Sequence, residues 1–209
     1  MNITLCHSDE SSEARSSRMI DITRLGADRW ADYRRLRLQA LQLEPTAFGS
    51  SHDEESSLPE HEWRRRIANA LFAVNGGTPI GMIAVVQEPR RKVRHIAGIY
   101  GVYVDAAYRR QGVGDRLLAA ALSAIQRLPD VLKVKLTVNP AQKAAVRLYA
   151  RHRSETVGRL RRELHVDGLF YDELVMERVC SIWATAEVTP QSEGAASVEQ
   201  SRTCSDTSG

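Results

Sequence analysis

The stretch RRQGVGDRLL, residues 109–118, places two glycines one residue apart between a strand pattern and a helical pattern. The strand-like sequence IAGIYGVYV ends at Val104, and apolar Val113, Leu117 and Ala121 follow at helical spacing. When a strand passes directly into a helix, the first N–H groups of the helix have no acceptors, and small residues let an anion approach them. The stretch therefore predicts a backbone cradle for an anion such as a pyrophosphate.

Two common nucleotide motifs do not fit this turn. The Lys-Ser or Lys-Thr pair that completes a P-loop is missing, and Leu117 occupies the third glycine position of a dinucleotide fingerprint. Charge still favours an anion, because Arg109, Arg110 and Arg116 outnumber Asp115 near the positive end of the helix. An ordinary turn with solvated arginines is the alternative interpretation.

Length and composition indicate one folded domain with polar tails. The chain has 209 residues, with 29 Lys and Arg against 26 Asp and Glu, and the two signs are interspersed rather than segregated. This argues against a nucleic-acid-binding face. Residues 1–18 and 181–209 are poor in large apolar side chains, so we predict that both segments are disordered. The predicted domain spans residues 19–180.

The cysteines and the apolar runs indicate in which cellular compartment the protein is expected and whether a membrane or a metal is an expected partner. Cys6, Cys180 and Cys204 are far apart, which is typical of neither a disulfide framework nor a metal cluster. No apolar run approaches the roughly 18 residues of a membrane span, and the N-terminus lacks the pattern of a secretory signal. We expect a cytoplasmic protein with no membrane partner and no metal.

Hydrophobic periodicity predicts an α/β fold with a mixed central β-sheet flanked by helices. We predict helices over residues 27–43, 60–70, 115–128 and 139–151. We predict strands over residues 19–23, 71–74, 80–87, 95–104, 131–138, 156–166 and 169–178. Asp167-Gly168 is a strong signal for a two-residue turn between the last two strands.

The glycine turn and this order of elements resemble a known family. Arg109-x-x-Gly112-x-Gly114 resembles the acetyl-CoA-binding motif of the GNAT superfamily of N-acetyltransferases, and the similarity covers about residues 20–178. The resemblance implies that the preceding strand splays at a bulge and contacts the pantetheine and the acetyl carbonyl. It also implies that the turn amides hold the pyrophosphate of the cofactor. The implied cofactor-binding residues are Val102, Tyr103, Val104, Arg109, Arg110, Gln111, Gly112, Val113, Gly114 and Asp115.

A second part of the resemblance lies in LTVNPAQKAAVRLY, residues 136–149. The family pattern N-x-x-A-x-x-L-Y ends in a tyrosine that protonates the departing thiolate, and the match makes Tyr149 the catalytic acid. The Asn of the pattern is Gln142 here, and Asn139 lies one turn earlier, so either amide is expected to contact the cofactor. A phenol with a pKa near 10 is protonated at neutral pH, as a donor must be. A core aromatic is the alternative interpretation of Tyr149.

Two departures from the family pattern stand out. The usual Gly-Phe after the cofactor helix is Arg153-Ser154, and a residue other than glycine in a left-handed cap costs about 1 kcal/mol. We therefore expect residues 150–156 to be rebuilt or loosened. Gly98 and Thr137 stand where relatives often place a carboxylate base. The remaining candidates for the general base, all distant, are His95, Asp172 and Glu173.

The resemblance implies an acceptor pocket formed by residues 48–58 and 166–171. The first segment contains Asp53, Glu54 and Glu55, so a cationic amine is conceivable, although a solvated acidic loop is the alternative. No cysteine lies near the motifs to carry an acyl group, which favours direct attack in a ternary complex.

The leading hypothesis is therefore acetyl transfer from acetyl-CoA to a primary amine of a small molecule, an amino acid or a protein N-terminus. It involves no nucleic acid and is compatible with a homodimer. A non-catalytic acyl-CoA-binding regulatory domain is the rival hypothesis. A nucleic-acid binder that uses Arg159, Arg161 and Arg162 is less favoured, because strand alternation makes these arginines a solvated face.

Overall fold

The computed structural model describes residues 19–180, so the predicted disordered tails lie outside the described residues. The strands are β1 (Asp21–Thr23), β2 (Ala70–Asn75), β3 (Thr78–Gln87), β4 (Ile96–Val104), β5 (Lys133–Val138), β6 (Glu155–Val166) and β7 (Leu169–Val179). The helices are α1 (Trp30–Leu43), α2 (His52–Ser56), α3 (Glu60–Ile67), α4 (Val113–Ile125) and α5 (Lys143–Arg151).

The described strands form one sheet in the order β1-β2-β3-β4-β5-β7-β6. The β4–β5 pair is parallel and the other neighbouring pairs are antiparallel. Asp167 and Gly168 both have positive φ between β6 and β7, as a tight hairpin turn requires. The predicted mixed α/β sheet and its last hairpin are therefore confirmed.

The central strands β4 and β5 separate after a short parallel stretch. They pair only from Ile96 to Gly98, and β5 continues along β7 instead. On the other side of β4, Gly101 and Val102 stand opposite the single residue Ile83, and Gly101 has a φ of 60°. This extra residue is a β-bulge, which bends the strand. The predicted splay is confirmed, and it opens a V-shaped gap in the middle of the sheet.

Two apolar clusters hold helices against the two faces of this sheet. Leu117 and Ile125 of α4 belong to the larger cluster, and Leu36 of α1 packs with Trp63 of α3 and Phe72 of β2 in the smaller one. Each of these side chains is at most 1% exposed, and burial of such a side chain is worth about 1.5–3 kcal/mol. This burial fixes the helices on both faces of the sheet.

Helix α2 was missed by the sequence prediction, which placed a loop there. It exists because the Ser51 side chain accepts from the Glu54 amide while the Glu54 carboxylate accepts from the Ser51 amide. This reciprocal capping box satisfies two N–H groups at once, and its S-x-x-E signature was readable in the sequence. The ends predicted for α3 and α4 were too late, since these helices end at Ile67 and Ile125.

The end of α5 also differs from expectation. Arg153 takes the left-handed conformation with a φ of 62°, its amide donates to the Ala150 carbonyl, and the Ser154 amide donates to the Tyr149 carbonyl. These are the two hydrogen bonds of a Schellman cap. The prediction that this segment is rebuilt was wrong, because arginine takes the place usually given to glycine and the cap keeps its form.

In the part of the chain that the structure describes, no helix combines the length and apolar character needed to cross a membrane.

Candidate active site

A cavity of about 930 Å³ occupies the gap between β4 and β5. The end of β4, the glycine turn and the start of α5 all contribute to its wall. The predicted site residues that line it are Val102, Tyr103, Val104, Arg109, Arg110, Gly112, Val113, Gly114, Asp115, Asn139, Gln142 and Tyr149. Gln111 does not line it, and its side-chain amide donates to the Ala107 carbonyl at 3.1 Å. One cavity thus gathers the two motifs.

Residues of the glycine turn line this cavity, and the helix that follows starts without a capping side chain. Gly112 is the N-cap of α4 with a φ of 76°, and it has no side chain that could cap the helix. The first helical hydrogen bond runs from the Arg116 amide to the Gly112 carbonyl at 3.0 Å. The amides of Val113, Gly114 and Asp115 therefore precede the helical ladder. Together with the helix dipole they form a cradle for an anion.

Two charged residues at this cradle, Arg109 and Asp115, have ion-pair partners that the sequence did not predict. The Arg109 side chain donates to the Val104 carbonyl at 2.9 Å and pairs with Glu44 at 2.9 Å, so it braces the end of β4. Asp115 pairs with Arg151 at 3.0 Å, and this hydrogen bond holds the pKa of Asp115 below its usual value. The negative charge that opposed an incoming phosphate is thus compensated. Arg110 lines the cavity and pairs with no described residue.

Tyr149 lies deep in the cavity wall. Its side chain is 5% exposed, and no described residue hydrogen-bonds its hydroxyl. Burial raises the pKa of Tyr149, so the phenol keeps its proton at neutral pH and well above it. The hydroxyl can therefore donate a proton to a group bound in the cavity.

The side-chain amides of Asn139 and Gln142 differ in their hydrogen bonds. Asn139 is buried, accepts from the Ala141 amide at 2.9 Å and donates to the Thr46 carbonyl at 3.2 Å. It ties the end of β5 to the segment after α1, and it delays the start of α5 to Lys143. Gln142 lines the cavity and makes no side-chain hydrogen bond with the described residues. Gln142 is the freer of the two to contact a ligand.

The three candidates for a general base have different surroundings in the structure. Glu173 lines the cavity, is 8% exposed, and has no hydrogen-bond or ion-pair partner among the described residues. Asp172 instead pairs with Arg159 at 2.7 Å and accepts from the Arg162 amide at 2.8 Å. Neither Asp172 nor His95 lines the cavity.

The Tyr100 ring fills the space that a side chain at Gly98 of β4 would occupy. A Cβ built on Gly98 would collide with the ring of Tyr100, which lies over it. Any side chain at this position would have to displace that ring. Thr137 of β5 lines the cavity without a carboxylate. Among the residues of the described sheet, Glu173 of β7, the strand that pairs with β5, is the acidic residue that lines the cavity.

A buried ion pair that the sequence did not predict also lines the cavity. Arg37 of α1 donates to Glu55 of α2 through Nε at 3.0 Å and Nη2 at 2.8 Å, and Arg66 of α3 approaches Glu55 at 3.4 Å. Burial alone would raise the pKa of Glu55, but the hydrogen bonds and charge of Arg37 outweigh burial and lower it. The Arg37 guanidinium lies 4.7 Å from the centre of the Phe48 ring.

The predicted acceptor pocket is partly redrawn by these contacts. Of the three acidic residues expected to attract a cationic amine, Asp53 is exposed, Glu54 caps α2, and Glu55 is paired with Arg37. Residues 166–171 do not line the cavity. The part of the predicted loop that lines the cavity contains Phe48 and Glu55, and α1, α3, β4 and β7 also contribute residues to its wall.

Comparison with known proteins agrees with this geometry. Residues 35–153 match the family model described as the acetyltransferase (GNAT) family. The chain is 31% identical over 123 residues to the L-2,4-diaminobutyric acid acetyltransferase of Streptomyces avermitilis, a match that covers 57% of this chain and 68% of that protein. It is 24% identical over 125 residues to the L-amino acid N-acetyltransferase AaaT of Escherichia coli, a match that covers 57% of this chain and 76% of that protein.

A solved structure extends the comparison to the whole fold. The yncA protein of Salmonella typhimurium, solved with its cofactor acetyl-CoA, superimposes with a TM-score of 0.66 at 15% identity. The match covers 83% of this chain and 99% of that chain. At this level of identity the likeness shows the fold.

Proposed function

The chain belongs to the GNAT acetyltransferase family, and we propose that it transfers the acetyl group of acetyl-CoA to a primary amine by direct attack in a ternary complex. The acceptor is a small molecule, an amino acid or a protein N-terminus. The observation that carries the proposal is one cavity that residues of the glycine turn, the splayed end of β4 and Tyr149 all line. Two relatives named as amino-acid acetyltransferases support an amine acceptor.

The residues at the glycine turn fit the pyrophosphate of coenzyme A. The amides of Val113, Gly114 and Asp115 would bind it, and the charge of Arg110 would add to the helix dipole. Gly112 suits this role because its positive φ is accessible to glycine at little cost. Arg109 and Asn139 would act by holding the end of β4 and the end of β5 in place, and Gln142 would contact the cofactor directly.

Two further side chains account for the protons of the transfer. As the amine nitrogen bonds to the thioester carbonyl carbon, the carbon–sulfur bond breaks and the sulfur leaves as a thiolate. Tyr149, which is protonated at neutral pH, would donate a proton to that sulfur. Glu173 would receive the proton of the attacking amine, directly or through one water molecule. Cys180 does not line the cavity, which agrees with transfer without an acyl-enzyme.

The decisive experiment replaces Tyr149 with Phe and follows both binding and turnover. We expect Tyr149→Phe to lower kcat by about 10²- to 10⁴-fold, the usual contribution of a general acid, while the Kd for acetyl-CoA stays unchanged. Acetyl-CoA consumption over a panel of amines, amino acids and peptides gives the rate, and calorimetry gives the Kd.

Tyr171→Phe is the matched control, because Tyr171 lies on β7 outside the cavity and should keep the wild-type rate. Tight acetyl-CoA binding by the wild-type protein without turnover of any amine would contradict the proposal and support a regulatory acyl-CoA-binding domain.

A further inference from the structure

One nitrogen of the Arg37 guanidinium has no acceptor among the described residues. Nε and Nη2 both bond to Glu55, whereas Nη1 is buried and has no hydrogen-bond partner among the described residues. The residue is 9% exposed and lines the cavity. A buried donor without an acceptor costs about 1–3 kcal/mol, more when it is charged. An acceptor from outside the protein, either a ligand group or a water molecule, would relieve this cost.

This free donor lies beside the reaction centre proposed above. A Cβ built on Gly101 would be 3.6 Å from Arg37 Nη1, and Gly101 is the bulge residue next to Val102. A group that accepts from Nη1 would therefore sit at the point where β4 turns away from β5. The Phe48 ring below the guanidinium and the two bonds to Glu55 hold the donor in this direction.

The charges around this end of the cavity favour an anion. Arg37, Arg65 and Arg66 line the cavity, as do Glu55 and Glu173. Arg65 is paired with Glu62 of the same helix at 2.6 Å, so its charge is already compensated. Arg37 and Arg66 share the single carboxylate of Glu55. A carboxylate on the ligand would balance the positive charge that this cluster of three side chains retains.

We infer that the acceptor is a free amino acid whose carboxylate accepts a hydrogen bond from Arg37 Nη1. The inference rests on the proposed function and narrows its substrate class. In a free α-amino acid the carboxylate and the amine share one carbon atom, so a carboxylate held beside Gly101 brings the amine to the end of β4. A peptide N-terminus has a neutral amide at that carbon, and a simple amine has no group there.

A second occupant of the same position has to be distinguished by experiment. A small void of about 10 Å³, bordered by Tyr33, Arg37, Ala84 and Gly101, lies next to the cavity. One water molecule needs about that much space. If such a water satisfied Nη1, the carboxylate of the acceptor would not affect the rate.

The first test compares matched acceptors with the wild-type enzyme. L-Phenylalanine, L-methionine and L-2,4-diaminobutyrate are each compared with their carboxamide, with a dipeptide that they begin, and with the amine that lacks the carboxylate. We expect kcat/KM for the free amino acid to be about 10- to 100-fold higher than for the carboxamide, as a hydrogen bond to a charged group requires. Equal values would overturn the inference and support the water.

The second test removes the donor without leaving a lone buried charge. Arg37→Met alone would strand the Glu55 carboxylate, so the double variant Arg37→Met/Glu55→Met is used, and circular dichroism and urea unfolding report its folding. We expect its preference for amino acid over carboxamide to fall to near one. A folded double variant that keeps the wild-type preference would overturn the inference.

The outcomes also separate the inference from the proposed function. Turnover of simple amines or dipeptides at least as fast as amino acids would overturn the inference and leave the acetyltransferase intact. Acetyl-CoA binding without turnover of any acceptor in the panel would overturn both.

Discussion

Glu173 is the carboxylate that faces the candidate reaction centre, and its neighbour Asp172 shows why one position on a strand matters. Successive side chains of a strand point to opposite faces, so the two carboxylates have different surroundings. Asp172 is held by Arg159 and by the Arg162 amide, and these hydrogen bonds lower its pKa. Glu173 keeps a buried carboxylate free to accept a proton in the cavity.

We predict that Glu173→Gln lowers kcat/KM at neutral pH by about 10²- to 10⁴-fold. The substitution keeps the size of the side chain and removes its capacity to accept a proton, and the deficit should shrink at high pH, where more of the amine is already deprotonated. Acetyl-CoA consumption across pH measures both effects.

Glu177→Gln is the matched control for this change. Glu177 lies on the same face of β7, pairs with Lys133 at 2.9 Å and does not line the cavity. Equal losses in the two variants, or a deficit in Glu173→Gln that is the same at every pH, would argue against a base at Glu173.

At the scale of an element, the end of α5 fixes the position of Tyr149. The Schellman cap at Arg153 closes the last turn, and the Tyr149 carbonyl is one of its acceptors. Arginine pays a steric cost there, because in the left-handed conformation Cβ approaches the following carbonyl oxygen. Helix α5 therefore holds its shape against a local strain that glycine would not have.

We predict that Arg153→Gly stabilises the protein by about 0.5–1 kcal/mol, since the relief of strain exceeds the entropy that glycine adds to the unfolded chain. The free energy of unfolding in urea measures the change, and the Kd for acetyl-CoA should not move, because Arg153 is exposed and lies outside the cavity. Ala150→Gly in the same helix is the control and should destabilise by about 1 kcal/mol. A loss of stability in Arg153→Gly would contradict the assigned cap.

Elements with a local signal were predictable from the sequence, and elements shaped by their neighbours were not. The alternation of β5 and the Asp167-Gly168 turn gave the right strands, because period and turn chemistry act within a few residues. The start of α5 was misjudged because Asn139 bonds to Ala141 and to distant Thr46. Its side chain holds the turn open beyond Pro140, and no local preference reports the contact with Thr46.

At the scale of the whole molecule, the candidate site also has parts that the sequence predicts and parts that depend on tertiary contacts. The cradle and Tyr149 come from continuous motifs, so the sequence and its family resemblance located them. Arg37, Glu55 and Glu173 come together only when α1, α2 and β7 converge on one cavity. These three residues are far apart in the sequence and follow no motif or regular spacing that would predict a shared site. The placement of these three residues around one cavity therefore required the tertiary structure.

The Arg37–Glu55 pair also links the stability of the whole molecule to pH. Glu55 joins α1 to α2 and, through Arg66, to α3. Its pKa is lower in the folded protein than the ordinary value of 4.5, because the bonds from Arg37 outweigh the opposing effect of burial. Below pH 4.5 the unfolded chain therefore binds more protons at this site than the folded one. The stability that Glu55 contributes is fully present above that pH and is lost as the pH falls through the folded pKa.

We predict that the free energy of unfolding falls with acidification from about pH 5 to pH 3 and that Glu55→Gln removes part of this slope while lowering stability at pH 7. The glutamine keeps the shape of the side chain but cannot supply the charge that the buried guanidinium needs, so the loss at pH 7 follows from an unbalanced Arg37. Urea unfolding at a series of pH values measures both quantities. Glu163→Gln, at an exposed position of β6, is the control for the loss of one carboxylate. Parallel curves for the wild-type protein and Glu55→Gln would show that this ion pair does not set the acid stability of the fold.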